Sequence, residues 1–290
     1  MLVQHAAAQY DPTAKYEVRS RDVEYLHDGQ QSWLARVFEP QGAGPFPALL
    51  EVHGGAWTSN DRTQNGPIDE ALAASGLVVV AIDFHLGGQA PYPAAQADIN
   101  YATRWLKAHA ADFGASPEGV GGLGFSSGGQ QIMLSAMRPR DPRYAAIPLA
   151  EDPNVEASLA YVIMGWPVVD PHARYTYARD LGRQRLVEAS LQYWVDEAAM
   201  QEGNPQQMLN RGEPAELPPV LFLHGAADDV VPATTAEDFV AAYASAGGVI
   251  ELAKYPAAGH GFMREVAPNR TRAIEATKFF IARQLAELAG

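Results

Sequence analysis

The stretch Gly124-Phe125-Ser126-Ser127-Gly128 decides the fold class of this chain. It follows a short Gly-rich run from Val120 that we predict as a strand ending at Phe125, and it opens a predicted helix over Gly128–Met137. A serine at such a strand–turn–helix corner presents its hydroxyl at the carboxyl end of a sheet, and the glycines permit the strained turn. The motif is weak by itself, but this context makes Ser126 the candidate nucleophile.

Outward from this corner, β-rich runs alternate with longer amphipathic stretches, a pattern typical of an α/β fold with a mostly parallel sheet. The other predicted strands are Lys15–Leu26, Ser32–Glu39, Ala48–His53, Leu77–Asp83, Leu159–Met164, Val220–His224 and Val249–Tyr255. Predicted helices include Pro93–His109, Thr234–Ala246 and Asn269–Leu288. The turn signal His27-Asp28-Gly29 predicts that the first two strands form an antiparallel hairpin.

The segment from about residue 171 to residue 219 interrupts this alternation. It mixes aromatic and methionine residues with polar ones in a helical context. Because it is too short to build an independent core comfortably, we interpret it as a small helical cap inserted into a single domain over residues 1–290. Two of its aromatic residues, Tyr193 and Trp194, are expected to line a substrate pocket together with Trp57 and Trp166. For any one of them, packing in the core is the alternative.

A nucleophilic serine needs a base, and the chain order expected for this architecture is serine, acid, histidine. Three histidines follow Ser126, namely His172, His224 and His260. His260 stands in a glycine-flanked loop after the last predicted strand, and such a loop can carry an imidazole back to the serine. We therefore predict His260 as the base, whereas His224 ends a strand and His172 lies at the entry to the cap.

The base needs a carboxylate that holds its tautomer and stabilises the imidazolium. The predicted strand Val220–His224 runs into a loop with two adjacent carboxylates, Asp228 and Asp229. Motif spacing favours Asp228, which leaves Asp229 as a solvated or helix-capping neighbour. The reversed assignment stays open at this point.

Acyl transfer also needs hydrogen-bond donors for the developing oxyanion. The stretch His53-Gly54-Gly55-Ala56-Trp57 directly follows a predicted strand, and glycines let backbone N–H groups approach a substrate closely. We predict the N–H groups of Gly55, Ala56 and Ser127 as the donors, with Gly54 as a near alternative.

Taken together, HGGAW (53–57), GFSSG (124–128), HGAADDVVP (224–232) and AAGHGF (257–262) resemble, in this order and spacing, the α/β-hydrolase superfamily. Within it they are most similar to esterases with an HGGG or HGGxW oxyanion motif, which include hormone-sensitive-lipase-like carboxylesterases, feruloyl and acetyl-sugar esterases and kynurenine formamidase. The resemblance implies an eight-stranded, mostly parallel central sheet flanked by helices. It implies a cofactor-free carboxylesterase for small esters of short to medium acyl chain, and a homodimer is an expectation from the same resemblance.

Three points stay open beside this interpretation. His85 stands where relatives carry arginine, and it either packs under the sheet edge or reaches the pocket. An amide-type hydrolase such as an arylformamidase is compatible with HGGAW. A ligand receptor on the same fold is the third alternative, although such receptors lose a triad member and all three are present here.

Composition excludes several other classes. Acidic residues number 34 against 21 basic ones, a net charge of −13 that argues against a nucleic-acid partner. The absence of cysteine excludes disulfides, cysteine-bound metals and a cysteine nucleophile, and there is no HExxH motif or histidine cluster to predict a metal. The longest apolar run, Leu77–Ile82, is far too short to span a bilayer. Since the N-terminus shows no signal peptide, we expect a cytoplasmic protein.

Overall fold

The structure, a computed structural model, describes residues 10–27 and 29–289. The predicted turn at Asp28 and the N-terminal stretch 1–9, on which the expectation about a signal peptide rests, lie outside the described residues. The described residues contain the strands β1 (Val18–His27), β2 (Ser32–Pro40), β3 (Ala48–Val52), β4 (Val78–Ile82), β5 (Gly121–Phe125), β6 (Val162–Gly165), β7 (Val220–Gly225) and β8 (Ile250–Tyr255).

Helices alternate with these strands as the amphipathic pattern predicts. They are α1 (Gly66–Ala73), α2 (Ala94–His109), α3 (Ser127–Met137), α4 (Pro171–Asp180), α5 (Gln184–Trp194), α6 (Glu197–Glu202), α7 (Pro205–Asn210), α8 (Thr235–Ser245) and α9 (Pro268–Ala289). Among the helices of the described residues, none is both long and apolar enough to cross a bilayer.

The eight strands form one sheet in the order β1-β2-β4-β3-β5-β6-β7-β8. Strand β2 runs antiparallel to both of its neighbours, and every other neighbouring pair is parallel. The predicted hairpin of β1 and β2 and the predicted mostly parallel sheet are therefore confirmed. Because parallel strands are covered on both faces, β3 and β4 are buried along their whole length.

Alternation along the strands divides the core between the two faces of the sheet. Leu50 and Val80 belong to the apolar cluster on the side of α2 and α3, whereas Leu49 and Val79 belong to the cluster on the side of α1 and α9. This period of two is what a strand imposes on its side chains. The two layers bury β3, β5 and β7 completely, and β8 pairs with β7 at the edge of the sheet, so the loops after these strands start at its carboxyl end.

Helices α4 to α7 stand between β6 and β7 and lie within the segment that the sequence predicts as an insertion. Helix α4 begins at Pro171 and is capped by the side chain of Asp170, which accepts a hydrogen bond from the backbone N–H of Ala173. We call α4 to α7 the cap, because α4 and α5 line the cavity that contains Ser126.

Candidate active site

The corner between β5 and α3 holds Ser126 in a strained backbone conformation. Its φ is +54° and its ψ is −120°, a region that L-residues seldom adopt. A Cβ added at Gly128 would lie 2.1 Å from the carbonyl oxygen of Val52, and one at Gly124 would lie 2.5 Å from that of Gly128. Glycine is thus required for α3 to approach β3 this closely, and the tight turn leaves the Ser126 side chain at the strand end.

The loops after β8 and β7 bring an imidazole and a carboxylate to this serine. Ser126 Oγ lies 2.8 Å from Nε2 of His260, and Nδ1 of His260 lies 2.8 Å from Oδ2 of Asp228. A carboxylate only accepts hydrogen bonds, so Nδ1 carries the proton. Nε2 is then left free to accept from the serine hydroxyl, which is the arrangement that activates a serine nucleophile.

Asp228 is held as a carboxylate inside the protein. Its side chain is fully buried, and its second oxygen accepts a hydrogen bond of 2.9 Å from the backbone N–H of Val230. Burial by itself would raise the pKa of Asp228, but the hydrogen bond and charge of His260 outweigh it and hold the pKa below its ordinary value. The group is therefore ionised wherever the enzyme would work.

The competing candidates lie elsewhere. Asp229 is 71% exposed and pairs with Arg183 at 2.7 Å. His172 pairs with Glu197 on the cap surface at 3.0 Å. His224 is buried at the end of β7, and burial lowers its pKa. The structure thus brings together Ser126, His260 and Asp228, and not these alternatives.

The carbonyl oxygen of Gly54 is fixed by two hydrogen bonds. Nδ1 of His53 donates to it at 2.7 Å, and Nδ2 of Asn60 donates at 3.1 Å. Because the C=O and N–H of a trans peptide point in opposite directions, these bonds turn the N–H of Gly55 the other way. Burial lowers the pKa of His53, which keeps the ring neutral and able to hold this loop.

The next peptide is held in the same manner. The carbonyl oxygen of Gly55 accepts from Oγ of Ser59 at 3.0 Å, so the N–H of Ala56 faces away from that bond. Gly55 and Ala56 both line the cavity with Ser126, and Ser127 is the first residue of α3. The N–H groups of Gly55, Ala56 and Ser127 donate to no acceptor among the described residues, which leaves them available for an oxyanion.

A cavity of about 570 Å³ opens above Ser126 and His260. One face of α5 forms much of its roof, since residues spaced three and four apart share a face of a helix. The cap residues of the lining are Arg174, Arg185, Leu186, Glu188, Ala189 and Gln192. This lining is more polar than the sequence leads one to expect for an acyl pocket.

The four aromatic residues predicted to line the pocket do not line this cavity, and that prediction needs correction. Trp57, Trp166, Tyr193 and Trp194 are all at most 1% exposed. The rings of Trp57 and Tyr193 stack at 5.6 Å, and Trp194 packs edge-on against both. Large apolar rings gain most from complete burial, so they join the cap to the loop after β3 instead of facing solvent.

Trp166 lies behind the site rather than in it. Its ring stacks on Phe125 at 5.0 Å and stands 6.4 Å from the ring of His260. His85 is also absent from the lining, since its Nδ1 lies 2.7 Å from the buried carboxylate of Asp98. Of the two readings of His85, the structure supports packing at the sheet edge.

Sequence reasoning missed a buried acid pair beneath the loop after β3. Glu51 and Asp69 are both fully buried, and Glu51 accepts a hydrogen bond of 2.7 Å from Nδ2 of Asn65. Burial raises the pKa of Glu51 to about 8 and raises that of Asp69 well above its ordinary value. The only signal in the sequence was a glutamate within the apolar strand ALLEV (48–52).

Because the pKa values of both carboxyls are raised, we predict that the free energy of unfolding falls as the pH rises. The pKa of Glu51 in the folded protein, about 8, is above its ordinary value of 4.5, so the unfolded chain releases this proton first. The contribution is therefore complete below about pH 4.5 and is lost progressively up to about pH 8. We compare the free energy of unfolding of Glu51→Gln with that of wild type at pH 5 and at pH 7. We expect the difference to shift in favour of the variant by up to roughly 2 kcal/mol from the lower to the higher pH.

Urea unfolding at the two pH values measures this difference. Glu70→Gln, on the exposed side of α1, is the matched control, because it makes the same substitution at a solvent-exposed position. A Glu51→Gln variant whose stability relative to wild type is the same at both pH values would show that the pair is ionised in the folded protein.

Comparison with known proteins places this geometry in a family. The BD-FAE family model matches residues 37–243, well over half of the chain, from β2 to α8. Esterase LipC of Mycobacterium tuberculosis is 31% identical over 228 residues, covering 75% of this chain and 53% of LipC. Esterase LipQ of the same organism is 25% identical over 279 residues, covering 93% of this chain and 63% of LipQ. The chain thus spans only about half to less than two thirds of the length of these relatives.

Solved structures agree on the fold. The propionate-bound esterase Est2 of Thermogutta terrifontis matches with a TM-score of 0.71 at 24% identity, covering 93% of this chain and 94% of that one. The same organism's esterase 2 phosphorylated by paraoxon matches with a TM-score of 0.71 at 22% identity, covering 91% and 94%. At these identities the likeness concerns the architecture of the sheet and helices. The chain has the α/β-hydrolase fold and belongs to the BD-FAE family.

Proposed function

We propose that this protein is a serine hydrolase that cleaves carboxylic esters through an acyl-enzyme. The observation that carries the proposal is the hydrogen-bonded chain from Ser126 through His260 to Asp228, with both distances at 2.8 Å. Beside it lie the backbone N–H groups of Gly55, Ala56 and Ser127, which have no acceptor in the described part of the chain. The names of the relatives, which are esterases, favour ester over amide substrates.

In the first half of the reaction, Ser126 Oγ attacks the ester carbonyl carbon while Nε2 of His260 takes the hydroxyl proton. The carbonyl oxygen becomes an oxyanion that accepts hydrogen bonds from the N–H groups of Gly55, Ala56 and Ser127. The tetrahedral intermediate then expels the alcohol, which receives the proton from Nε2. Asp228 stabilises the imidazolium throughout and keeps the proton on Nδ1.

In the second half, a water molecule attacks the acyl-enzyme. Nε2 of His260 takes one proton from the water, and the new tetrahedral intermediate uses the same N–H donors. Its collapse breaks the bond to Ser126 Oγ, and the serine regains its proton from Nε2. The products are the carboxylic acid and the free enzyme.

A panel of substrates tests this function. We expect turnover of 4-nitrophenyl acetate and butyrate above that of N-formylkynurenine, measured as kcat/KM under the same conditions. Faster turnover of the formamide would replace the esterase by an arylformamidase. No turnover of either, with the fold intact, would favour the receptor alternative.

We expect the face of α5 that lines the cavity to set the acyl-chain preference. Ala189 lines the cavity, so Ala189→Trp should fill space that a longer acyl chain occupies. Each methylene that no longer fits the cavity changes the discrimination between substrates by roughly 1–3 kcal/mol. We therefore expect kcat/KM for octanoyl esters to fall at least tenfold relative to that for acetyl esters. Ala198→Trp, exposed on α6, is the matched control. An unchanged ratio of kcat/KM values would exclude α5 as the selecting element.

The sequence also predicts a cytoplasmic location and a homodimer, and both stay predictions. Size-exclusion chromatography with light scattering would test the second. A mass equal to that of one chain over a range of concentrations would contradict it.

A further inference from the structure

The cavity above Ser126 is lined by three arginines that form no ion pair within the described residues, although the buried carboxyl of Glu51 acts on one of them, Arg264, at longer range. Most arginines that the structure describes pair with an acid, as Arg62 pairs with Asp83 at 2.8 Å. In contrast, Arg174, Arg185 and Arg264 line the cavity and form no ion pair within residues 10–27 and 29–289. The chain has 34 acidic residues against 21 basic ones, so a shortage of carboxylates does not explain why these arginines lack ion pairs.

Arg174 is the most unusual of the three. It is 1% exposed, and its Nε and Nη2 bond to no acceptor among the described residues. Its guanidinium forms a long hydrogen bond of 3.4 Å from Nη1 to the carbonyl oxygen of Leu186 and a cation–π contact with the ring of Trp57, whose centroid lies 4.7 Å from Cζ. Burial lowers its pKa to about 10, which still leaves the guanidinium charged at neutral pH.

Arg264 and Arg185 approach the same cavity from two other sides. Arg264 follows the loop of His260, and a Cβ added at Gly54 would lie 3.5 Å from its Nη2, so it stands beside the oxyanion loop. Arg185 lies exposed on α5. Glu188 also lines the cavity, but it is exposed to solvent and accepts a hydrogen bond of 2.9 Å from Gln184.

An unpaired cation inside a protein is costly, because burial removes its hydration and nothing replaces it. A cation–π contact with Trp57 offsets a part of that cost. A ligand anion would offset more, since a carboxylate can accept two parallel hydrogen bonds from a guanidinium. Two further arginines in the same cavity would strengthen the attraction, and the low exposure of Arg174 would limit screening by salt.

We propose that the substrate is an ester that carries a free carboxylate in its acyl or its alcohol part, and that Arg174, supported by Arg185 and Arg264, binds this carboxylate. The inference rests on the proposed esterase function and specifies its substrate class. Arg174 acts here as a binding residue that sets specificity. The net negative charge of the protein repels anionic substrates at a distance. The arginines of the cavity attract them locally and so allow the site to select them.

Two pairs of esters separate the two positions of the carboxylate. Monoethyl adipate against diethyl adipate tests the acyl part, and 4-acetoxybenzoate against its methyl ester tests the alcohol part. The measured quantity is the ratio of kcat/KM for the charged ester to that for the neutral one, in wild type and in each variant. Intrinsic reactivity and any loss of folded protein cancel when these ratios are compared.

We expect Arg174→Gln to lower this ratio roughly tenfold or more in one of the two pairs, mainly through KM, as loss of a charged hydrogen bond does. Arg174→Lys, which keeps the charge, should restore part of the ratio. Arg179→Gln, exposed on the same helix, is the matched control. Arg185→Gln and Arg264→Gln should lower the ratio less, and they keep the test valid if Arg174→Gln does not fold.

Binding of adipate to Ser126→Ala, measured by calorimetry, adds a readout that needs no turnover. We expect adipate to bind and adipamide not to bind, and Arg174→Gln in the same background to abolish the difference. If neutral esters are hydrolysed but no arginine variant lowers the ratio in either pair, the carboxylate site is wrong while the esterase function stands. If no ester is hydrolysed, the proposed function fails, and adipate binding alone then decides whether the anion site exists.

Discussion

Ser126→Ala is expected to lower kcat for 4-nitrophenyl butyrate by a factor on the order of 10⁶, the loss typical of removing the nucleophile of a serine triad. The physical reason is that Ser126 Oγ lies 2.8 Å from Nε2 of His260 and is the one hydroxyl bonded to it within the part of the chain that the structure describes. Alanine has the same backbone as serine at this strained position, so the fold should persist. Initial rates measured with circular dichroism on the same samples would show both effects.

Ser135→Ala serves as the control for this substitution. It lies on the same helix, α3, where its hydroxyl bonds to Gln96 away from the cavity. We expect it to keep most of the activity. If Ser126→Ala retained near wild-type turnover and Ser127→Ala were inactive instead, the nucleophile would be one residue further along.

Asp228→Asn is expected to cost about 10⁴ in kcat, because it disturbs the tautomer of His260. Oδ2 of Asp228 accepts from Nδ1 of His260, and Oδ1 accepts from the N–H of Val230. An asparagine amide has one oxygen, so in either orientation its NH₂ faces one of these two donors. The substitution therefore removes the charge and forces either the wrong tautomer or a repulsive contact.

Asp229→Asn is the matched control, one residue away and exposed with Arg183 as its partner. An exposed ion pair of this kind contributes at most about 1 kcal/mol, and none of it acts on His260. Steady-state kinetics on both variants should give losses that differ by several orders of magnitude. Equal losses, or a larger loss for Asp229→Asn, would contradict Asp228 as the acid of the triad and favour Asp229.

Local sequence signals predicted the fold well, because each of them constrains the backbone nearby. The glycines of GFSSG (124–128) are required for the contact of α3 with β3, and the short apolar runs around Leu50 and Val80 are typical of strands buried on two faces, as the structure shows them to be. The predicted eight-stranded, mostly parallel sheet is confirmed for these reasons. Helix ends shifted by a residue or so, as at Ser127, where the turn itself starts the helix.

The choice between Asp228 and Asp229 could not be made locally. Both lie in one loop after β7, and only the path of the loop decides which side chain turns inward. In the structure Asp228 is buried against His260, and Asp229 points to solvent.

The pocket lining was predicted least well, because the type of a side chain does not reveal which wall it belongs to. Tyr193 and Trp194 look like pocket residues in the sequence but pack between the cap and the loop after β3. The face of α5 that meets the cavity is instead polar, as its members Arg185 and Gln192 illustrate. Arg174 gave no signal at all, since an unpaired buried arginine is recognised only when its surroundings are known.

Covalent labelling by a fluorophosphonate tests directly whether Ser126 is the activated nucleophile. The reagent phosphonylates a serine only where a base and oxyanion donors activate it, so it reports Ser126, His260 and the loop after β3 together. We expect one adduct per chain by intact mass, mapped by peptide sequencing to Ser126 and absent in Ser126→Ala. Stoichiometric labelling of another residue, or no labelling of the folded wild type, would contradict this expectation.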